Sequence, residues 1–249
     1  LDEVGAWLLG VYAAEGCSSK TGIEVSVGKH ERGFAVEIRK AFRRIGFITS
    51  IGEARTALKV RVSSMPLGRL LDSVCGKLAH RKMVPYDVLM HVRPEILRAF
   101  LCGYERGDGY RRRLSGAEVV GANTTSSVLA AQLQLLLARL GRFATVRRVE
   151  RRDDMIMGRR IKVVRPFYAV LWRERDRWHT RHRMMDDCIA VPVRSVSEAP
   201  YSGDVCNIET LDNTYLVSGV VVHNCERLQG FPDGWTCLCG AVGAALEAA

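Results

Sequence analysis

The chain has 249 residues, 47% of them hydrophobic and 26% charged, enough for one large or two modest domains with real cores, which excludes a disordered polymer. No apolar run approaches the roughly 20 residues that cross a bilayer, and no charged-then-apolar leader opens the sequence, so no membrane partner is expected. Thirty-seven Lys and Arg against 27 Asp and Glu leave a net charge of +10, which points to phosphate-rich partners. Arg far outnumbers Lys; a GC-rich genome would account for that preference but not for the charge. Eight Cys without a CxxC pair support neither a disulfide framework nor a zinc site, and a reducing, cytoplasmic setting is expected.

The first residue, Leu1, falls inside a helical pattern, so the chain reads as a fragment. Its leading feature is internal repetition. Leu8-Leu-Gly-Val-Tyr-Ala-Ala-Glu-Gly16 and Leu101-Cys-Gly-Tyr-Glu-Arg-Gly-Asp-Gly109 align without gaps, matching Gly10 with Gly103, Glu15 with Asp108 and Gly16 with Gly109. Each is followed by an amphipathic helix with a Leu/Ile-Gly stop, Phe34 to Gly46 and Ser127 to Gly141, at 31 and 33 residues from the acid to the glycine. Strand-like runs lie between: Ile23–Val27 and Ala57–Val62 in the first copy, Glu118–Val120, Thr145–Val149 and Phe167–Trp172 in the second. Short helices at Pro66–Cys75 and Pro94–Tyr104 complete a unit that reads helix, two strands, helix, two strands, helix.

Small residues on the motif helices (Gly10, Ala13, Ala14; Gly103, Gly107) let two helix backbones approach closely. Each helix ends in a carboxylate followed by Gly, the residue suited to a helix C′ position. A carboxylate there sits at the negative end of the helix dipole, and a divalent cation is a natural offset. Side by side, the two helices would bring Glu15 and Asp108 to one point. Paired carboxylates with oxygen-ligated Mg²⁺ form an arrangement suited to phosphodiester hydrolysis.

These two motifs resemble those of the LAGLIDADG (dodecapeptide, DOD-type) homing endonucleases, and the resemblance runs from about Val4 to Val149. Gly28-Lys-His-Glu-Arg32, Lys82-Met-Val-Pro85 and Thr124-Thr-Ser-Ser-Val-Leu-Ala-Ala-Gln-Leu-Gln134 also look like the family. The resemblance implies an α+β fold, two αββαββα halves forming a saddle whose antiparallel sheets straddle the major groove of double-stranded DNA. Glu15 and Asp108 would be the metal-binding catalytic pair, with Mg²⁺, and Lys82 a catalytic cation stabilising charge on the phosphate. The first motif departs from many members in having Ala-Ala-Glu in place of Asp-Ala-Asp. The second carries Glu105-Arg106, two long charged residues, where Phe-Asp is frequent.

From Arg147 to Arg183 arginines are dense, with Trp172, Trp178 and His179 interleaved. On the second unit's strands, alternate residues share a face, so Arg147, Arg148, Arg151, Arg160 and Lys162 are candidate DNA contacts. Beyond Arg173 a surface linker is an equal reading.

The C-terminal third changes character. Val191–Val196 reads as a strand, Glu198–Asp204 as a turn, Val205–Thr210 as a strand, Leu211–Asn213 as a tight turn and Thr214–Val217 as a strand. Gly219 then leads into Val220-Val-Val222 and His223-Asn224-Cys225. The Asn224 side-chain amide can attack its own backbone carbonyl, cutting the chain and leaving a succinimide. His223 can supply the proton and the Cys225 thiol can carry the acyl group. These 35 or so residues resemble the C-terminal end of an intein, the β-rich end of a Hint-type splicing domain. In that family a polar residue ahead of the last strand assists cleavage; a one-residue gap decides whether Cys206 or Asn207 takes that place. After the junction, Glu226-Arg-Leu-Gln-Gly-Phe-Pro-Asp-Gly-Trp-Thr236 resembles a late motif of DNA cytosine-5 methyltransferases, whereas Cys237–Ala249 does not continue it.

Three segments follow: 1–185, the two-repeat endonuclease (about 4–93 and 94–180); 186–224, the splicing segment; and 225–249, an extein remnant of the methyltransferase. The function expected is an intein-borne, Mg²⁺-dependent double-strand endonuclease acting on the intein-free host gene. Splicing would need an N-terminal intein segment ahead of Leu1 as partner. The alternatives are a splicing or DNA-binding remnant without nuclease activity, and a methyltransferase fragment with an inert insertion. The latter would lack any catalytic apparatus, because no Pro-Cys nucleophile motif is present.

Overall fold

The computed structural model describes residues 1–114, 117–150, 154–156, 159–161, 165–174, 182–186, 188–193, 210–217 and 220–223, with isolated positions between 195 and 208. Contacts divide the chain into Leu1–Trp178 and His179–Ala249.

In the first unit, helix α1 (Glu3–Glu15) starts at Asp2, whose carboxylate accepts from the Gly5 N–H at 2.8 Å, as N-cap residues do. Strands β1 (Gly16–Ser19) and β2 (Gly22–Gly28) lead to α2 (Arg32–Arg44), then β3 (Thr49–Glu53), β4 (Ala57–Val62) and α3 (Met65–Cys75). A short 3₁₀ turn (Ala79–Arg81) and α4 (Tyr86–Leu89) join this to α5 (Pro94–Asp108). The pattern then repeats: β5 (Gly109–Leu114), β6 (Ala117–Thr124), α6 (Ser127–Arg139), β7 (Ala144–Val149) and β10 (Phe167–Trp172), with a small hairpin of β8 (Asp154–Ile156) and β9 (Arg159–Ile161) inserted. The sheets run β1-β2-β4-β3 and β5-β6-β10-β7, all antiparallel, so the two halves share one topology.

Each sheet covers its own core. In the first, Ile23, Val25 and Val27 alternate with Leu58, Val60 and Val62 under Phe34, Ile38 and Phe42, which repeat every fourth residue along α2. Each large side chain so buried contributes on the order of 1.5–3 kcal/mol. In the second, Val170 and Trp172 lie under Leu129, Leu133 and Leu137 of α6, whose N-cap Ser126 accepts from the Leu129 N–H at 3.1 Å.

The second unit is described in parts: β11 (Arg183–Met184) with β12 (Ile189–Ala190), and β13 (Thr214–Val217) with β14 (Val220–His223), both antiparallel. The turn before β13 is tied by Asp212, which accepts from the Thr214 N–H and hydroxyl at 3.1 and 2.8 Å, and Asn213 adopts φ 58°. Residues 191–193, read as the start of a strand, carry no strand pairing. The expected turn at 198–204 and strand at 205–210 fall mostly outside the described residues.

Candidate active site

Helices α1 and α5 cross with their backbones in contact. A β-carbon on Gly10 would strike the carbonyl oxygen of Phe100, and one on Gly103 would strike that of Trp7. These contacts are reciprocal, since Gly10 matches Gly103 and Trp7 matches Phe100 in the repeat. Gly107 packs on the last turn of α1, where an added β-carbon would lie 2.6 Å from Ala14 Cβ and 2.9 Å from Glu15 Cγ. The small residues therefore bring the C-terminal ends of both helices together.

Glu15 and Asp108 are the final residues of those helices. Asp108 is pushed up to about 7 by burial and by the like charge of Glu15, with Lys82 opposing. Glu15 is raised by burial and then by Glu31. The glycines after the acids do not take the left-handed conformation associated with a C′ position: Gly16 has φ −88° and Gly109 φ −76°, and the chain runs straight into a strand. They are required for space instead, because a β-carbon on Gly16 would lie 2.6 Å from Tyr12 Cγ and one on Gly109 2.8 Å from Glu105 Cα.

Lys82 is buried, 5% exposed, so it is not a solvated surface lysine. Its ammonium donates to the carbonyls of Tyr12 and Gly16, both at 2.9 Å, and sits 3.8 Å from the centre of the Tyr12 ring. Burial lowers its pKa, with Cys75, Asp72, Cys17 and Asp108 opposing. It thus supplies positive charge at the negative end of α1, part of the offset that sequence reasoning assigned to a metal. The backbone carbonyl of Lys82 accepts from Ser126 Oγ at 2.7 Å, which ties this residue to the second half.

Tyr104 was not foreseen. It is fully buried, its hydroxyl meets no hydrogen-bond partner among the described residues, and burial followed by Asp108 and Glu15 drives its pKa upward. Only its place in a duplicated motif could have drawn notice, and there it matches Val11, which has no polar atom. Arg106 stacks over Phe34 at 4.9 Å, which gives the long residue of the second motif its place. A groove of about 420 Å³ lined by Trp7, Glu37, Lys40 and Arg44 lies along the first half of α1, away from the acids.

Strand register divides the basic residues. Val146 pairs with the buried Val170, and Arg147 pairs with Ala169, so Arg147 points to the open face of the second sheet. Arg148 pairs with Tyr168 on the helix-covered side and is bound to Glu150 at 2.8 Å. The open face also carries Tyr110, lying over Gly121, and Arg112, 5.9 Å from the Tyr110 ring. On the first sheet's open face, Lys59 and Arg61 both bind Glu24, at 2.5 and 2.8 Å. Arg160 lies in β9, but its side chain is outside the described residues, as are Arg151 and Lys162. His223 ends β14 with its side chain likewise undescribed, and Cys206, Asn207, Asn224 and Cys225 lie outside the described residues.

Residues 95–164, from α5 through the β8–β9 hairpin, match the model of the LAGLIDADG-like domain, and the first half repeats that topology. The fold is the LAGLIDADG-like α+β fold with two antiparallel sheets. The chain is similar to the ATP-dependent DNA helicase Hel308 of Thermococcus kodakarensis, 31% identical over 239 residues, covering 88% of this chain and 21% of that protein. It is also similar to the iron-sulfur cluster assembly SufBD family protein Rv1461 of Mycobacterium tuberculosis, 34% identical over 235 residues, covering 88% of this chain and 27% of that protein. It thus spans roughly a fifth to a quarter of the length of these relatives. Among solved structures, a mesophilic variant of the homing endonuclease I-DmoI aligns at 15% identity and TM-score 0.44, covering 69% of this chain and 89% of that one.

Proposed function

We propose that the chain is a LAGLIDADG-type, site-specific DNA endonuclease carried by an intein, with Glu15 and Asp108 as its catalytic pair. The observation that carries this reading is the junction of α1 and α5: two interlocked helices each ending in a carboxylate, close enough that one raises the proton affinity of the other. A divalent metal would be held by this pair, the carboxylates that end the two helices. Two carboxylates, with the remaining positions left to water and substrate phosphate, suit Mg²⁺. Mg²⁺, when bound, would polarise a phosphate oxygen and acidify a water. Glu15 and Asp108 would hold charge and orientation at the scissile phosphate. The open faces bearing Lys59, Arg61, Arg112 and Arg147 would receive the DNA backbone and base edges.

The intein reading is supported by the kind of relatives found. One segment of this size is shared by proteins whose names denote unrelated tasks, a helicase and an iron-sulfur assembly protein, and makes up a minor part of each. An element inserted into different hosts leaves that pattern. His223, Asn224 and Cys225 would then perform the asparagine cyclisation, with an N-terminal intein segment as partner, and Glu226–Thr236 would derive from a cytosine-5 methyltransferase host.

The test is cleavage of a plasmid carrying the methyltransferase gene rejoined without the insertion, with and without Mg²⁺, beside Glu15→Gln/Asp108→Asn. A Mg²⁺-dependent cut at the codons flanking Cys225, lost in the double variant, is expected. Intact DNA despite tight, salt-sensitive binding would reject the nuclease and leave a DNA-binding or splicing remnant.

A further inference from the structure

Tyr12 and Ser18 stand three residues before and three after Glu15. Both donate to a single carboxylate on α3: Tyr12 Oη to Asp72 Oδ1 at 3.1 Å and Ser18 Oγ to Asp72 Oδ2 at 2.7 Å. Lys77 approaches the same carboxylate at 3.8 Å. In the second half, the residues three before and three after Asp108 are Glu105 and Arg111. They form an ion pair at 3.8 Å, and Arg111 donates to Glu174 at 2.7 Å. Glu118 also lies 3.5 Å from Arg111. Asp72 lies ten residues past the last strand of its half, on α3, and Glu174 two residues past Trp172, so each half draws its carboxylate from the segment after its last strand but from a different place in it.

The chemistry at these matched positions differs. Tyr12 is fully buried beneath the Lys82 ammonium, and Asp72 is mostly covered. In the second half Glu105 is covered much as Asp72 is, but Arg111 and Glu174 have side chains 48% and 51% exposed. Hydrogen bonds to a covered carboxylate are little affected by added salt. A pair half in water competes with solvent, is weakened progressively by added salt and holds its partners weakly.

We propose that the two triads are braces that fix each acid at its helix end against the strand that follows, the first a buried latch and the second a salt-loosened one. Asp72 and Glu174 are positioning residues here, not catalytic ones. The consequence is an asymmetric enzyme in which rising salt frees the end of α5, and Asp108 with it, while the end of α1 stays set. The functional half of this inference rests on the reading of Glu15 and Asp108 as the reacting pair; the structural half does not.

The test compares the full chain with Asp72→Asn and Glu174→Gln. Hydrogen exchange should quicken at amides 12–18 in the first variant only, and at 105–111 in the second only. With protein in excess, Mg²⁺-dependent cutting should slow by about tenfold to a hundredfold in each, the scale of a misplaced catalytic group. DNA affinity measured in Ca²⁺ should be unchanged, and the Mg²⁺ concentration for half-maximal rate should rise. Between about 50 and 200 mM salt, wild-type cutting under saturating protein should fall, while Glu174→Gln is slow throughout. Should Asp72→Asn fail to fold, Tyr12→Phe keeps the packed ring and removes only the hydroxyl. Unchanged exchange in both halves overturns the braces, as does parallel loss of binding and cutting. A wild-type protein that never cuts overturns the nuclease reading, and the exchange data then decide the braces alone.

Discussion

The Lys82 ammonium donates to the carbonyl of Gly16, the residue directly after Glu15, and to that of Tyr12 three residues before it, both at 2.9 Å. A buried cation thereby ends the dipole of α1 and fixes the backbone on both sides of the acid. Lys82→Met should leave two carbonyls without this donor and destabilise the fold by about 1–3 kcal/mol, read as a lowered denaturant midpoint. Cutting should fall further than stability accounts for. Lys82→Arg should not rescue it, because a planar fork cannot take the place of a compact ammonium over the Tyr12 ring. Full activity in Lys82→Met would remove both a positioning and a chemical role.

The reciprocal contacts of Gly10 with Phe100 and Gly103 with Trp7 leave no room for a methyl group. Gly10→Ala and Gly103→Ala should each cost about 3 kcal/mol, because the obstacle is backbone and cannot swing aside. Gly33→Ala is the control, since nothing lies within 4 Å of an added β-carbon there. Equal melting temperatures for all three variants would show that the helices do not cross as described.

Asp108 gives a pH dependence of definite sign. An unfolded Asp titrates near 3.8, whereas folded Asp108 holds its proton to about 7. Folding therefore binds a proton between those values. The stabilisation is complete below about pH 4 and is lost as pH rises through 7. Glu15, also raised, acts in the same direction. In EDTA, calorimetry from acid to neutral pH should show Asp108→Asn overtaking the wild type as pH rises above about 4, the gap reaching about 1–3 kcal/mol by pH 7 after allowance for solvent screening. Added Mg²⁺ should narrow that gap by favouring the ionised pair. Parallel curves for the two proteins would contradict a raised Asp108.

What the sequence disclosed follows from how each element is buried. The central strands β2 and β4 show alternating Ile, Leu and Val because one face is covered, and the motif glycines advertise a close helix crossing. The edge strands β1 and β3 of the first sheet and β5 of the second have compositions (Gly-Cys-Ser-Ser, Thr-Ser-Ile-Gly-Glu, Gly-Tyr-Arg-Arg-Arg-Leu) with little apolar alternation, and they form by pairing with an already buried neighbour. At the site, duplication singled out Glu15 and Asp108. Asp72 and Tyr104 carried no such mark, since a carboxylate 54 residues from Ser18 and a tyrosine in an apolar helix face acquire their meaning only when the chain is folded.

Register also separates two adjacent arginines that composition treats alike. Arg147 faces the open side of the second sheet, whereas Arg148 lies on the helix-covered side and is held by Glu150. If the open face receives DNA, Arg147→Ala should weaken binding of every sequence tested and reduce the slope of log K against log salt by about one. Arg148→Ala should leave the slope unchanged, since its charge is already met and turned away. The measurement is fluorescence anisotropy over a salt series in Ca²⁺, so that no strand is cut. Equal slopes for both variants would mean that DNA approaches the second sheet from its edge, where the distinction between the two faces of β7 disappears.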